Sequence, residues 1–173
     1  YNHLKIIMNV NIALLTVTDT RTFDNDKSGA ILVDKIKEAN HSLFDRKICK
    51  DNKNDIVLIL KEWVKNEKID VIITTGGTGL TGRDITPEAL DEIADKHIPG
   101  FGEVFRNISL KTVGTSAIQS RACAILANGK YIFALPGSSG GVTDAWEGIL
   151  KKQLDINHKP CNFVELFPRL KEK

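Results

Sequence analysis

Cysteine and histidine are scarce in this 173-residue chain, and neither is arranged for a structural job. The three cysteines, Cys49, Cys123 and Cys161, are an odd number spaced far apart with no C-x-x-C pair. A disulfide framework is therefore excluded, and a reducing cytosol is the simpler setting. The four histidines, His3, His41, His97 and His158, form no H-x-x-x-H or mixed Cys/His knot, which argues against a zinc site. Charge excess is also missing. With 24 Lys+Arg against 22 Asp+Glu, the net charge is +2, which predicts neither a nucleic-acid footprint nor a polybasic membrane anchor. No apolar run is long enough to cross a bilayer. The run Ile6 to Val17 follows Lys5 but is interrupted by Asn9 and Asn11, and no A-x-A cleavage site follows. Internal repeats, low-complexity blocks and linkers are absent, so residues 1–173 are expected to form a single domain.

Glycine is scarce only in the first half. Gly29 is the sole glycine before position 76, whereas Gly76, Gly77, Gly79, Gly82, Gly137, Gly140 and Gly141 crowd two short windows. Around them the chain alternates strand and helix patterns. Ile12 to Val17 predicts a strand, and Ser28 to Ala39 a helix with Ser28 at its N-cap. Leu43 to Ile48 reads as a strand whose pattern is broken by Asp45, Arg46 and Lys47. Ile56, Ile59, Leu60, Trp63 and Val64 recur at helical spacing over 54–66. Val71 to Ile73 reads as a strand buried on both faces. Thr86-Pro87-Glu88 opens the next helix, with Thr86 as its cap. Pro99-Gly100 marks a turn, and Glu103 to Leu110 a short helix.

Ala122 to Leu126 and Tyr131 to Leu135 flank Asn128-Gly129, a hairpin signal, since both residues tolerate positive φ. Val142, Ala145, Trp146, Ile149 and Leu150 make a final helical stripe. The segment after Leu154 reads as irregular, packed on the surface or on a neighbouring subunit. Trp63 and Trp146 are expected in the core, and the cysteines as inert packing residues. The whole predicts an α/β fold, a mostly parallel sheet with one antiparallel hairpin.

Ligands of open α/β sheets bind beyond the carboxyl ends of the strands. Those ends carry Asp19, Asp51, Thr74 to Asp84, and Pro136 to Gly141. Two of them read as strand, glycine-rich loop, helix, a device that aims backbone N–H groups at an anion such as phosphate. Asp19, Asp51 and Asp84 converge on the same rim, where a shared Mg²⁺ would relieve their repulsion. Taken singly, Asp19 and Asp51 are more simply read as turn formers or caps. Gly77, Gly79 and Gly82 also fit G-x-G-x-x-G, but the helix opens late, so a dinucleotide-binding oxidoreductase is a remote alternative. Gly137-x-Ser139-x-Gly141 fits a hydrolase nucleophile elbow, for which His158 would be the only downstream histidine. No Gly-Lys-Ser/Thr occurs, which rules out a Walker P-loop.

Thr74-Thr75-Gly76-Gly77-Thr78-Gly79 followed by Arg83-Asp84-Ile85-Thr86-Pro87-Glu88 resembles the signature of the MoaB/Mog molybdopterin-binding family. The stretches Asp19-Thr20-Arg21, Asp26-Lys27-Ser28-Gly29, Pro99-Gly100-Phe101-Gly102-Glu103, Gly114-Thr115-Ser116-Ala117, Ser120-Arg121 and Leu135-Pro136-Gly137-Ser138 agree with it. The similarity runs in order from about Asn11 to the end, and Lys159-Pro160-Cys161-Asn162-Phe163 is similar to the MoaB branch. The resemblance implies a three-layer αβα domain, a homotrimer or homohexamer, and a place in molybdenum or tungsten cofactor synthesis beside other proteins of that route. It also implies transfer of AMP from Mg-ATP to the terminal phosphate of molybdopterin. By the resemblance, Asp51 and Asp84 serve catalysis and Mg²⁺. Thr75, Gly76, Gly77, Thr78, Gly79, Pro136, Gly137 and Ser138 surround ligand phosphates, and Ser116, Ser120 and Arg121 bind pterin. Where several relatives carry a Lys after Leu-Pro-Gly-Ser, this chain has Ser139-Gly140-Gly141. One cation is thereby lost, leaving a non-catalytic pterin-binding or scaffold protein as the alternative.

Overall fold

A computed structural model describes residues 6–173; His3 and the other residues before Ile6 lie outside the described residues. The first strand, β1 (Asn11–Val17), leads to α1 (Lys27–Glu38), β2 (Ser42–Cys49), α2 (Lys53–Lys65) and β3 (Val71–Thr75). There follow α3 (Thr86–Ile93), the two-residue β4 (Lys96–His97), α4 (Pro99–Val113) and a 3-10 segment (Gly114–Gln119). The hairpin β5 (Cys123–Ala127) and β6 (Lys130–Leu135) precedes α5 (Ser139–Ala145). That helix continues through a π-helical turn (Trp146–Leu150) into α6 (Lys151–Gln153).

The strands form one six-stranded sheet in the order β2-β1-β3-β6-β5-β4. β1, β2, β3 and β6 run parallel, while β5 is antiparallel to β6 and to β4. Both hairpin residues adopt positive φ as the dipeptide predicts, Asn128 at 48° and Gly129 at 72°. Alternate side chains of each strand serve opposite faces. Leu14, Ile73 and Phe133 pack with Leu32 and Ile36 of α1, Phe101 and Phe105 of α4, and Val142 and Trp146. Leu15, Ile72 and Ile132 pack with Ile56, Leu60 and Trp63 of α2 and with Ala89 and Leu90 of α3. The result is the three-layer αβα arrangement, with both tryptophans buried.

Several local expectations need correction. Asp26, rather than Ser28, caps α1, its carboxylate accepting the Gly29 N–H at 3.1 Å. Ser28 is buried inside the first turn instead. Ile85 precedes α3 without a side-chain cap, because the Thr86 hydroxyl donates to the Gly76 carbonyl at 2.9 Å and ties down the loop. Pro99-Gly100 begins α4 rather than turning before it, as proline suits a first helical turn. Two of the three charged residues that broke the β2 pattern have buried partners: Asp45 accepts the Trp63 indole N–H at 3.1 Å, and Arg46 reaches Asp26 at 3.0 Å. The end of the chain belongs to the core of the same molecule. Phe163 lies 4.6 Å from Tyr131 between ring centroids, Val164 is buried, and a 3-10 turn covers Val164–Arg169. Cys49 and Cys123 are half-buried, with burial pushing their thiols up to about 12 and about 11, whereas Cys161 is exposed rather than a packing residue of the core.

Candidate functional site

The chain leaves β1 through α1 toward β2 on one side of the sheet, whereas from the neighbouring β3 it leaves through α3 toward the side of β4, β5 and β6. A crevice therefore opens beyond the carboxyl ends of β1 and β3, the expected ligand position in such a sheet. The glycines close it tightly. Gly76 has φ +105°, and a Cβ there would stand 2.2 Å from the Val17 carbonyl oxygen. Gly77, at φ +69°, would place a Cβ 2.4 Å from the Thr86 hydroxyl and 3.2 Å from Asp51 Oδ1. The second loop abuts the first: a Cβ on Gly137 would lie 3.3 Å from the Gly76 Cα, and the Thr75 hydroxyl donates to the Pro136 carbonyl at 2.7 Å. Only glycine allows two backbones to approach this closely.

Donors are available on both loops. Among the described residues nothing accepts from the N–H groups of Gly77 and Thr78. At the start of α5 the Ser138 hydroxyl accepts the Gly141 N–H at 3.1 Å, leaving those of Ser139 and Gly140 as the unbonded donors of a helix N-terminus.

Asp19, Asp51 and Asp84 share the rim as expected. Asp19 accepts the Asp51 backbone N–H at 3.1 Å and binds Arg83 through Nε at 3.0 Å and Nη2 at 2.7 Å. The Arg83 hydrogen bond holds the Asp19 carboxyl below its ordinary value. Burial pushes the Asp51 carboxyl up, and Asp19 and Asp84 push it further against the pull of Arg83. Burial also acts to raise Asp84, but the hydroxyl and N–H of Thr81, at 2.7 and 2.9 Å, and the Gly79 N–H outweigh it and hold the carboxyl down. Asp51 is thus under-neutralised while Asp84 is well satisfied. Carboxylate oxygens of this kind fit Mg²⁺. Among the described residues, however, no group of three or more His, Cys, Asp or Glu could hold a metal. An ion here would take one or two carboxylates and complete its shell with ligand phosphates.

Arg121 is fully engaged. Its guanidinium donates to the Gly79 carbonyl at 2.7 Å, to the Asp84 carbonyl at 2.9 Å and to Glu88, and its N–H donates to Thr78 at 2.8 Å. It braces the β3–α3 loop. Ser120 lies beside it, accepting the Ala122 N–H at 3.3 Å, while Ser116 is exposed on the 3-10 segment with no bond to the loops among the described residues.

The sequence reading missed a buried network on the α1 side. Asp26, 1% exposed, accepts from the Thr16 hydroxyl at 2.6 Å and from Arg46, and Arg21 joins Ser28 Oγ at 3.1 Å to the Gly137 carbonyl at 3.0 Å. The irregular charge at Arg46 was the available signal. A groove of about 470 Å³ lined by Ile98, Phe101, Val104, Ile149, His158 and Phe163 lies away from the rim. His158 follows a helical run that starts at Ser139 and, at 1.5 Å per residue, carries the chain roughly 20 Å from that serine. That separation counts against a hydrolase triad. Gly82 has nothing within 4 Å of a would-be Cβ, so it lacks the close-packing role of a dinucleotide fingerprint's third glycine.

A parallel sheet with a switch-point crevice and two abutting glycine loops defines an αβα domain of the ligand-binding kind. The chain belongs to the MoaB/Mog family: residues 13–156 match the family described as Probable molybdopterin binding domain. It is 45% identical over 161 residues to molybdenum cofactor biosynthesis protein B of Escherichia coli K12, covering 93% of each chain. A crystal structure of a molybdenum cofactor biosynthesis protein B superposes with TM-score 0.86 at 38% identity, covering 96% of this chain and 98% of that one. The tungsten cofactor synthesizing protein MoaB of Pyrococcus furiosus superposes with TM-score 0.75 at 34% identity, covering 87% and 96%.

Proposed function

We propose that this chain acts in molybdenum cofactor biosynthesis by adenylylating molybdopterin. A terminal phosphate oxygen of the pterin attacks the α-phosphorus of ATP, the α–β bond breaks, and pyrophosphate leaves. The observation that carries the reading is the contact of the two glycine loops at a rim shared by Asp51 and Asp84. Phosphoryl-type transfer needs in-line positioning and charge neutralisation rather than a covalent nucleophile. Backbone N–H groups of Gly77, Thr78, Ser139 and Gly140 supply donors for phosphate oxygens. Asp51 and Asp84 would hold Mg²⁺, which when bound neutralises phosphate charge. Thr75, Gly76, Gly79, Pro136, Gly137 and Ser138 shape the floor, and Ser116, Ser120 and Arg121 form the side assigned to the pterin, Arg121 acting through its brace on the loop.

The reading includes a cytosolic location, supported by three free and separated cysteines, and a homotrimer or homohexamer, supported by exposed Val104, Leu110, Val113 and Ile118. No helix among the described residues is long and apolar enough to cross a membrane. A second reading, a binding or scaffold protein without transfer, is favoured by one observation: Arg121 is committed to the fold and Ser139-Gly140-Gly141 adds no cation. Incubation with molybdopterin and Mg-ATP separates the two. Adenylylated pterin and pyrophosphate are the expected products, and pterin binding without either would overturn the enzyme reading in favour of the scaffold.

A further inference from the structure

Four arginines surround the rim, and three are bound into the fold. Arg46 pairs with buried Asp26, Arg21 spans Ser28 and the Gly137 carbonyl, and Arg121 grips two loop carbonyls and Glu88. Arg83 differs. Its side chain is 68% exposed, and both of its hydrogen bonds go to a single oxygen of Asp19. Nη1 has no partner among the described residues, and no backbone carbonyl there relies on its guanidinium. Yet it stands at the mouth of the glycine loop. Asp19 also accepts the Asp51 N–H, and Asp51 Oδ1 lies 3.2 Å from where a Gly77 Cβ would be.

The two loops offer N–H dipoles, whereas a diphosphate brings several full negative charges. A guanidinium matches phosphate oxygens in bidentate fashion, and an exposed pair with one carboxylate is weakly held. We propose that Arg83 is the mobile anion-gripping residue of this site, resting on Asp19 and moving its donors to the phosphates of an incoming ligand. Asp19 is then an internal competitor for the same guanidinium. The inference rests on the phosphate-ligand reading above and names a residue which that reading leaves unassigned.

Competition gives the two partners opposite signs. In calorimetric titrations with sodium pyrophosphate in EDTA, binding by the wild-type chain tests the phosphate reading by itself. Against that reference, Arg83→Ala is expected to weaken pyrophosphate about tenfold, with Arg83→Lys between the two. Asp19→Asn, which keeps an acceptor for the Asp51 N–H, is expected to tighten it several-fold, an effect lost in the double variant. Equal affinity of wild type and Arg83→Ala overturns the inference while the phosphate reading stands. Weakening by both single variants also overturns it, since that is the behaviour of a structural brace. If the wild-type chain binds no pyrophosphate either in EDTA or with Mg²⁺ added, reading and inference fall together.

Discussion

Two ion-pair systems flank the same sheet end and are built in opposite ways. On the α1 side, Asp26 is sealed in and saturated by Thr16, Gly29 and Arg46. On the α2–α3 side, Asp19, Asp51, Arg83 and Asp84 sit at an open rim where repulsion is only partly cancelled. A network whose carboxylate is fully hydrogen-bonded and sealed fixes geometry and has no acceptor left to offer a ligand. An incompletely neutralised one keeps the capacity to bind cations and anions.

Breaking the sealed side has the largest expected effect. Asp26→Ala strips the cap of α1 and leaves the half-buried Arg46 without its partner, a loss of about 3 kcal/mol, read from equilibrium urea unfolding. Asp84→Asn should leave that unfolding curve nearly unchanged and reduce adenylyl transfer by roughly 10²–10³-fold, a typical cost of losing one transition-state electrostatic contact. Full activity in that variant would show that Asp84 only shapes the loop.

Acid should then separate the two sides. Burial acts to raise Asp26, but its hydrogen bonds pull the folded-state carboxyl below the usual carboxylate range. Its stabilisation is therefore complete above the unfolded value and vanishes only as pH falls through the lower folded one. Asp51 is raised by burial and by Asp19 and Asp84, so it takes up its proton at a higher pH than an ordinary carboxylate, while the fold is intact. The acid limb of activity should lie at higher pH than the loss of urea resistance, and coincident limbs would contradict the contrast. The smallest effect belongs to the exposed pair: Arg83→Ala and Asp19→Asn should not measurably move the urea midpoint.

Much of the open rim was legible because its determinants are local. Glycines directly after strand-forming runs, and aspartates at strand ends, read correctly without tertiary knowledge, and the three aspartates do meet. The sealed side was illegible because its logic is long-range. Arg46 looks like a defect in β2 until Asp26, twenty residues earlier, is folded over it. Ser28 looked like a cap because Asp26, Ser28 and their neighbours all suit that position, and only the packing against Thr75 decides between them. The π-helical turn at Trp146–Leu150, which buries Trp146, Ile149 and Leu150 against one core, is not encoded by helical periodicity alone. Similarly, Phe163 and Val164 follow an irregular stretch, so their packing depended on a partner, Tyr131, that lies 32 residues before Phe163.

The brace made by Arg121 carries a thermodynamic consequence. By joining Gly79, Asp84 and Glu88 through one rigid planar group, it removes configurational freedom from the β3–α3 loop while the chain folds. A ligand then meets a loop whose ordering cost was met beforehand, so little conformational entropy is lost on binding and the donors need not reorganise. That is preorganisation supplied by a residue whose own charge is spent inside the protein.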